Sequence, residues 1–212
     1  MIYTKMKRFF DILFSLSAMI IFLPVLLLIS AAIKIDSRGP VLFKQVRVGR
    51  NKKQFVIYKF RTMSLDTPKD MPTHLLTGPD QYITRIGKVL RKCSLDELPQ
   101  IWNILIGHMS VIGPRPALWN QYDLIAERDK YGVNDVRPGL TGWAQINGRD
   151  TLSIEEKSRL DGDYIDKLGF IMDVKCFVGT MLTVAKQQGV VEGGTGAMSM
   201  DDTAVTNEKL SI

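Results

Sequence analysis

An α/β fold, mostly helical and attached to a membrane, is predicted by three observations. Residues 12–33 form an uncharged stretch of 22 residues, with Pro24 in its middle and basic residues on both sides. Two segments rich in β-branched and aromatic residues bracket Gly49-Arg50-Asn51, which predicts a short β-hairpin. Later segments, most clearly 172–186, carry apolar residues at helical spacing.

The apolar stretch comes first. As a helix it is about 33 Å long at roughly 1.5 Å per residue, enough to cross a bilayer's hydrocarbon core. Lys5, Lys7 and Arg8 precede it, and Lys34, Arg38, Lys44, Arg47 and Arg50 follow it. Basic residues mark the cytoplasmic side, and here they mark both ends. A proline at mid-depth removes a backbone hydrogen bond and bends a helix. These facts together predict a re-entrant helix that breaks near Leu23–Pro24 and returns to the face it entered. A straight signal anchor is the commoner fate of such a segment, but it would carry a basic remainder outward. A cleaved signal peptide is a third reading, supported by Ser30-Ala31-Ala32 and opposed by the length of the apolar run. The predicted organisation is a membrane helix over 1–35, a domain over 36–189 on the cytoplasmic membrane face, and a flexible tail over 190–212.

The remaining elements follow in order. Residues 41–44 and 54–59 read as the hairpin strands. The segment 65–80, with three prolines, reads as a loop. Helices are predicted over 84–91 and 94–105, the second opened by Ser94 as N-cap with Glu97 three residues on, the pattern of a capping box. Gly113-Pro114-Arg115-Pro116 is a rigid loop, because two prolines fix φ. Helical character returns over 117–130, and 137–143 is turn-rich. Two more helical stretches lie within 161–188. In 172–186 the residues Val174, Phe177, Val178, Met181, Leu182 and Ala185 share one face, read as a core face. An interfacial helix on the membrane is the runner-up, and a homodimer surface is open as well.

The net charge of +6 is uneven: nine Lys and Arg lie between residues 34 and 61, against the single acid Asp36. Beside a membrane segment this points to anionic headgroups or phosphorylated substrates rather than nucleic acid. Cys93 and Cys176 have no metal or redox spacing, and His74 and His108 have no partner at ligand spacing, so a structural zinc is not expected.

Three rigid turns carry an arginine: 113–116, 137–139 and 147–149. Arginine's planar fork matches phosphate oxygens, and Pro/Gly turns hold it at little entropic cost. With Lys59-Phe60-Arg61 they predict a converging polyanion site. Asp96-Glu97 is the one acidic pair in this basic region, after Arg91 and Lys92. In isolation it would be a capped helix start. Beside arginines, one carboxylate could attack phosphorus while its neighbour holds Mg²⁺.

At these residues the chain resembles the bacterial sugar transferase family, the monotopic phosphoglycosyl transferases, in their minimal catalytic form. The matching blocks are 7–11, the apolar segment with Pro24, 37–45, 58–63, 94–100, 109–116, 136–145 and 147–149, in order. The resemblance implies transfer of a sugar-1-phosphate from a UDP-sugar to a polyprenol phosphate such as undecaprenyl phosphate, with release of UMP, as a first membrane step of exopolysaccharide, capsule or glycoconjugate synthesis. It implies that Asp96 is the nucleophile, through a covalent aspartyl-phosphosugar, and that Glu97 binds Mg²⁺. Lys59, Arg61, Arg91, Arg115, Arg137 and Arg149 are implied as phosphate or nucleotide contacts. The alternative is a membrane-anchored basic protein that binds anionic lipid or nucleic acid without catalysis.

Overall fold

The computed structural model describes residues 2–67, 81–148 and 151–185. Most of the loop over 65–80, Arg149 and the tail over 190–212 therefore lie outside the described residues.

The N-terminal helix α1 (Ile2–Asp36) is 35 residues long, and it is the one described helix long and apolar enough to cross a membrane. The helical run is not interrupted at Leu23–Pro24, where the sequence led us to expect a break; Pro24 lies inside it. A proline forfeits one hydrogen bond, which well-bonded turns on either side can tolerate. Residues 20–24 are all exposed, whereas Asp11, Ser15 and Ala18 before them and Ile29 and Ile33 after them are buried.

Both ends of α1 are fastened to the rest of the chain. Near the start, Arg8 donates to the carbonyls of Ile104 at 2.6 Å and Leu105 at 2.7 Å. Asp11 accepts from Ser110 Oγ at 3.1 Å and from the Val111 N–H at 2.9 Å. Lys7 pairs with Asp173, which also accepts from Tyr3 and Tyr164. Near the end, Asp36 accepts from the Ile86 N–H at 3.1 Å, and Ile29 and Ile33 pack on Phe60 and Leu90.

The hairpin forms as its composition demands. Strands β1 (Leu42–Val48) and β2 (Gln54–Phe60) pair antiparallel, with Leu42 opposite Phe60 and Val48 opposite Gln54. The first strand extends four residues beyond the expected end. Period-two alternation puts Phe43, Gln45 and Arg47 on one face with Phe55, Ile57 and Lys59. Phe55 and Ile57 then pack on Ile104 and Met109.

Helix α2 (Arg85–Lys92) starts where expected, capped by Thr84, whose Oγ1 accepts from the Gly87 N–H. The expected helix over 94–105 does not form as one piece. Ser94 adopts a left-handed conformation with φ 54° and makes no cap bond; Leu95–Glu97 is a 3₁₀ turn; α3 spans only Gln100–Leu105. The capping box is absent because Glu97 is drawn to cations elsewhere in the fold. A complete capping box occurs instead at Ser153 and Glu156, opening α6 (Ile154–Asp166).

Strand β3 (Ser110–Ile112) pairs parallel with β4 (Gly139–Thr141), a contact across more than 25 residues that no local pattern announces. Between them α4 spans Tyr122–Asp129, shorter than the expected 117–130. Residues 117–118 are recruited to β1 instead: Val48 N–H donates to the Ala117 carbonyl at 2.9 Å, and Leu118 bridges Arg47. After α5 (Trp143–Ile146) and α6, helix α7 (Phe170–Ala185) closes the described chain. Its buried residues are Met172 and Cys176, packed with Ile112 and Tyr164. The face read as core points outward: Val174, Phe177, Val178, Met181 and Leu182 are exposed, as are Phe170 and Ile171 before them, while the Ala185 side chain lies outside the described ones. The inner side of the helix is carried by small and polar residues as well: Gly179 lies against Ile146, and Thr180 Oγ1 is 2.7 Å from Thr141 Oγ1.

Candidate active site

The Asp-Glu pair sits in the 3₁₀ turn Leu95–Glu97, between α2 and α3. Entry to that turn needs the left-handed Ser94, a conformation costing on the order of 1 kcal/mol for a residue with a Cβ. The turn directs Glu97 toward the hairpin. Lys59 Nζ lies 2.7 Å from Glu97 Oε1, and Arg115 Nη2 lies 2.8 Å from the same oxygen. Arg115 Nη1 reaches Oε2 at 3.5 Å. Three segments far apart in sequence thus meet at one carboxylate: the end of β2, the turn after α2 and the Gly113–Pro116 loop after β3.

Asp96 accepts no hydrogen bond from the described residues. Burial pushes its carboxyl above the usual range; Lys59, Arg91 and Arg115 pull it down, and Glu97 pushes it up. Arg91, in the last turn of α2, donates through Nε to Thr62 Oγ1 at 2.9 Å. Burial also pulls the Lys59 ammonium down, and Glu97 opposes that shift. A carboxylate that gives no lone pair to a hydrogen bond is more nucleophilic than one already fully bonded, and the neighbouring cations keep it ionised.

The sequence did not single out Arg47. It lies beside Arg115 and Glu97, and burial together with Arg115 pulls its pKa down to about 9, which leaves it protonated at neutral pH. Its Nε and Nη2 donate to Gln45 Oε1 and its Nη1 to the Pro116 carbonyl at 3.0 Å. The alternation that puts Arg47 on the face of Lys59 was a signal in the sequence, masked by the many basic residues around it. Four cations, Arg47, Lys59, Arg91 and Arg115, now face the two carboxylates Asp96 and Glu97. The surplus of positive charge suits an anion such as a diphosphate.

Two other expected contacts are used elsewhere. Arg61 is buried, and its fork donates to the carbonyls of Arg38 at 2.5 Å and Ser37 at 2.7 Å and to Ser37 Oγ at 2.8 Å. It ties the exit of α1 to the end of β2, so its guanidinium is committed to backbone rather than to phosphate. Arg137 donates through Nε to the Gly107 carbonyl at 2.9 Å, close to Arg8 and Arg50 and not to the Asp-Glu pair. Together with Arg8, it satisfies carbonyls at and just past the C-terminal end of α3. Arg149 lies outside the described residues.

Among the described residues no group of three or more His, Cys, Asp or Glu could hold a metal. Magnesium does not require one: it binds through one or two carboxylates together with waters and substrate phosphates. The adjacent carboxylates of Asp96 and Glu97 are hard oxygen donors of that kind, so the donor set fits.

Comparison with known proteins identifies the family. The family model described as bacterial sugar transferase matches residues 2–187. The chain is 39% identical over 186 residues to the uncharacterized sugar transferase EpsL of Bacillus subtilis (strain 168), covering 87% of this chain and 90% of that one. It is 39% identical over 189 residues to the exopolysaccharide production protein PSS of Rhizobium leguminosarum bv. phaseoli, covering 84% and 94%. It is also 39% identical over 189 residues to the UDP-glucose:undecaprenyl-phosphate glucose-1-phosphate transferase of Escherichia coli (strain K12), covering 85% of this chain and 40% of that longer relative. With an Asp-Glu pair set among converging cations and a family match over nearly all of its described length, the chain belongs to the bacterial sugar transferase family and is an enzyme of the phosphoglycosyl transferase class.

Proposed function

We propose that this enzyme transfers a sugar-1-phosphate from a UDP-sugar to a polyprenol phosphate, undecaprenyl phosphate being the acceptor named for several relatives. The observation that carries this reading is the Asp96-Glu97 turn. One carboxylate is bonded to Lys59 and Arg115, and the other accepts no hydrogen bond among the described residues and lies beside Lys59, Arg91 and Arg115. Asp96 attacks the phosphorus that bears the sugar. The diphosphate P–O bond breaks, UMP leaves with the bonding electrons, and an aspartyl-phosphosugar remains. An oxygen of the lipid phosphate then attacks the same phosphorus, forms the lipid diphosphate sugar and returns Asp96 as a carboxylate. Splitting the reaction lets one anion depart before the next arrives. Lys59 and Arg115 fix Glu97, and the surplus cations stabilise charge on the transferring group. Mg²⁺, held by Glu97 with help from Asp96, would supply further charge neutralisation on the phosphates.

The proposed membrane arrangement draws on α1. Both its ends are bonded to the same domain, and only the turns around Pro24 are exposed on all sides. This supports a helix bent at Pro24, dipping into the cytoplasmic leaflet and returning. Asp173, on the first turn of α7, pairs with Lys7 just before the apolar stretch, which supports placing the exposed apolar face of α7 at headgroup height. In a Cys93→Ser background, cysteines at Lys5 and Arg38 are expected to react with an impermeant reagent only from the cytoplasmic side. An environment-sensitive dye at Val178→Cys is expected to shift blue on vesicles. Labelling of Lys5→Cys from the outside would mean a spanning helix.

The reaction is tested by UMP release from a panel of UDP-sugars, with undecaprenyl phosphate and Mg²⁺. Lipid-dependent UMP from at least one donor is expected, in line with relatives that are exopolysaccharide production proteins. Binding of anionic lipid with no UMP from any donor would instead favour a non-catalytic anchor.

A further inference from the structure

The Gly113–Pro116 turn carries Arg115 to Glu97, but two of its four residues are prolines, which have no N–H to donate. The turn is therefore held through its carbonyls, and three in succession have donors from distant segments. The Pro114 carbonyl accepts from the Gly139 N–H at 2.8 Å. The Arg115 carbonyl accepts from Arg128 Nη1 at 2.9 Å. The Pro116 carbonyl accepts from Arg47 Nη1 at 3.0 Å. Arg47 belongs to the site itself. Arg128 does not: it lies on α4 and is 3% exposed.

Arg128 is fixed from behind. Its Nε and Nη2 donate to Asp161 Oδ2 at 3.0 and 2.5 Å, and Asp161, on α6, is 1% exposed. A buried ion pair adds little net stability compared with apolar residues of the same size. What the guanidinium adds is direction: one edge of the fork is locked on Asp161, which aims the remaining nitrogen at the Arg115 carbonyl.

We propose that Arg128 is a positioning residue for the transfer reaction, setting through the Arg115 carbonyl the angle at which the Arg115 side chain meets Glu97. The proposal rests on the reading of Asp96-Glu97 as the reacting site. Lysine at this position keeps a charge for Asp161 but loses the fork that spans the two acceptors.

The test is a double-mutant cycle on the full chain in a membrane mimic, following UMP release for wild type, Arg128→Lys, Arg115→Lys and the pair. Arg128→Lys is expected to lower kcat about tenfold with donor KM changed less than about twofold, the size of effect a small misplacement produces. In the Arg115→Lys background the same change should cost less than about twofold, since residues acting as one unit are not additive. An equal loss in both backgrounds, or no loss beside native Arg115, would overturn the proposal and leave Arg128 a packing residue. If Arg128→Lys does not fold, Asp161→Asn, which releases the locked edge and keeps the shape, is read through the same cycle with the same criteria. A wild type that releases no UMP would instead overturn the transfer reaction itself.

Discussion

Asp96→Asn is expected to reduce UMP release by at least about three orders of magnitude, while leaving the fold as stable as before or slightly more so. Asparagine matches aspartate in shape but cannot form the acyl phosphate. The stability half of the expectation follows from burial, which raises the Asp96 carboxyl. A carboxyl whose folded pKa exceeds its unfolded one favours the fold when protonated. That contribution is lost as pH rises through the folded pKa, so at neutral pH the charge is a net cost that asparagine removes. The same shift gives wild-type kcat/KM an acid limb above the ordinary carboxylate range, with activity falling as pH drops through it. Undiminished UMP release by Asp96→Asn would end the covalent mechanism. A lost fold, seen as a lower unfolding midpoint, would make Asp96 structural instead.

Gly139→Ala is expected to be the most damaging small substitution in the described chain. A Cβ there would lie 2.1 Å from the Gly113 nitrogen and 2.5 Å from its oxygen, both of them backbone atoms. No rotamer change relieves that contact; the two loops must separate. Separation breaks the Gly139 N–H bond to the Pro114 carbonyl and the Gly113 N–H bond to the Thr141 carbonyl, both 2.8 Å. The β3–β4 register goes with them, and so does the support of the Arg115 turn. A loss of about 3 kcal/mol or more is expected, roughly 6–12 °C in unfolding midpoint for a chain of this size. Gly169→Ala is the control: the nearest atom to its Cβ is 3.7 Å away, and the change should cost under about 0.5 kcal/mol. Equal midpoints for the two variants would show that the loops do not approach so closely in solution.

Several features were legible in the residues because they depend on neighbours. The uncharged run predicts a long apolar helix, and the helix is there. Segments rich in β-branched and aromatic residues around the Gly49-Arg50-Asn51 turn predict the hairpin, and the helix expected over 84–91 forms as α2. Ser94 misled because the capping pattern is real chemistry with a competitor. Glu97 gains more from Lys59 and Arg115 than from a backbone N–H, and the turn before it reshapes accordingly. The face of α7 misled because helical periodicity reports that one side is apolar, not what covers it.

By itself, the sequence determined an apolar helix flanked by charge, a hairpin, a set of rigid arginine turns and one acidic pair able to meet phosphate. Only the tertiary structure decided which cations surround that pair. Lys59, Arg91, Arg115 and the unanticipated Arg47 converge on it, whereas Arg61 and Arg137 turn to backbone carbonyls. The physical reason is that every arginine carries the same fork. Whether it meets a carboxylate, a carbonyl or a substrate phosphate depends on the segments that pack beside it, here 18 residues away for Arg115 at Glu97, 24 for Arg61 at Ser37 and 30 for Arg137 at Gly107.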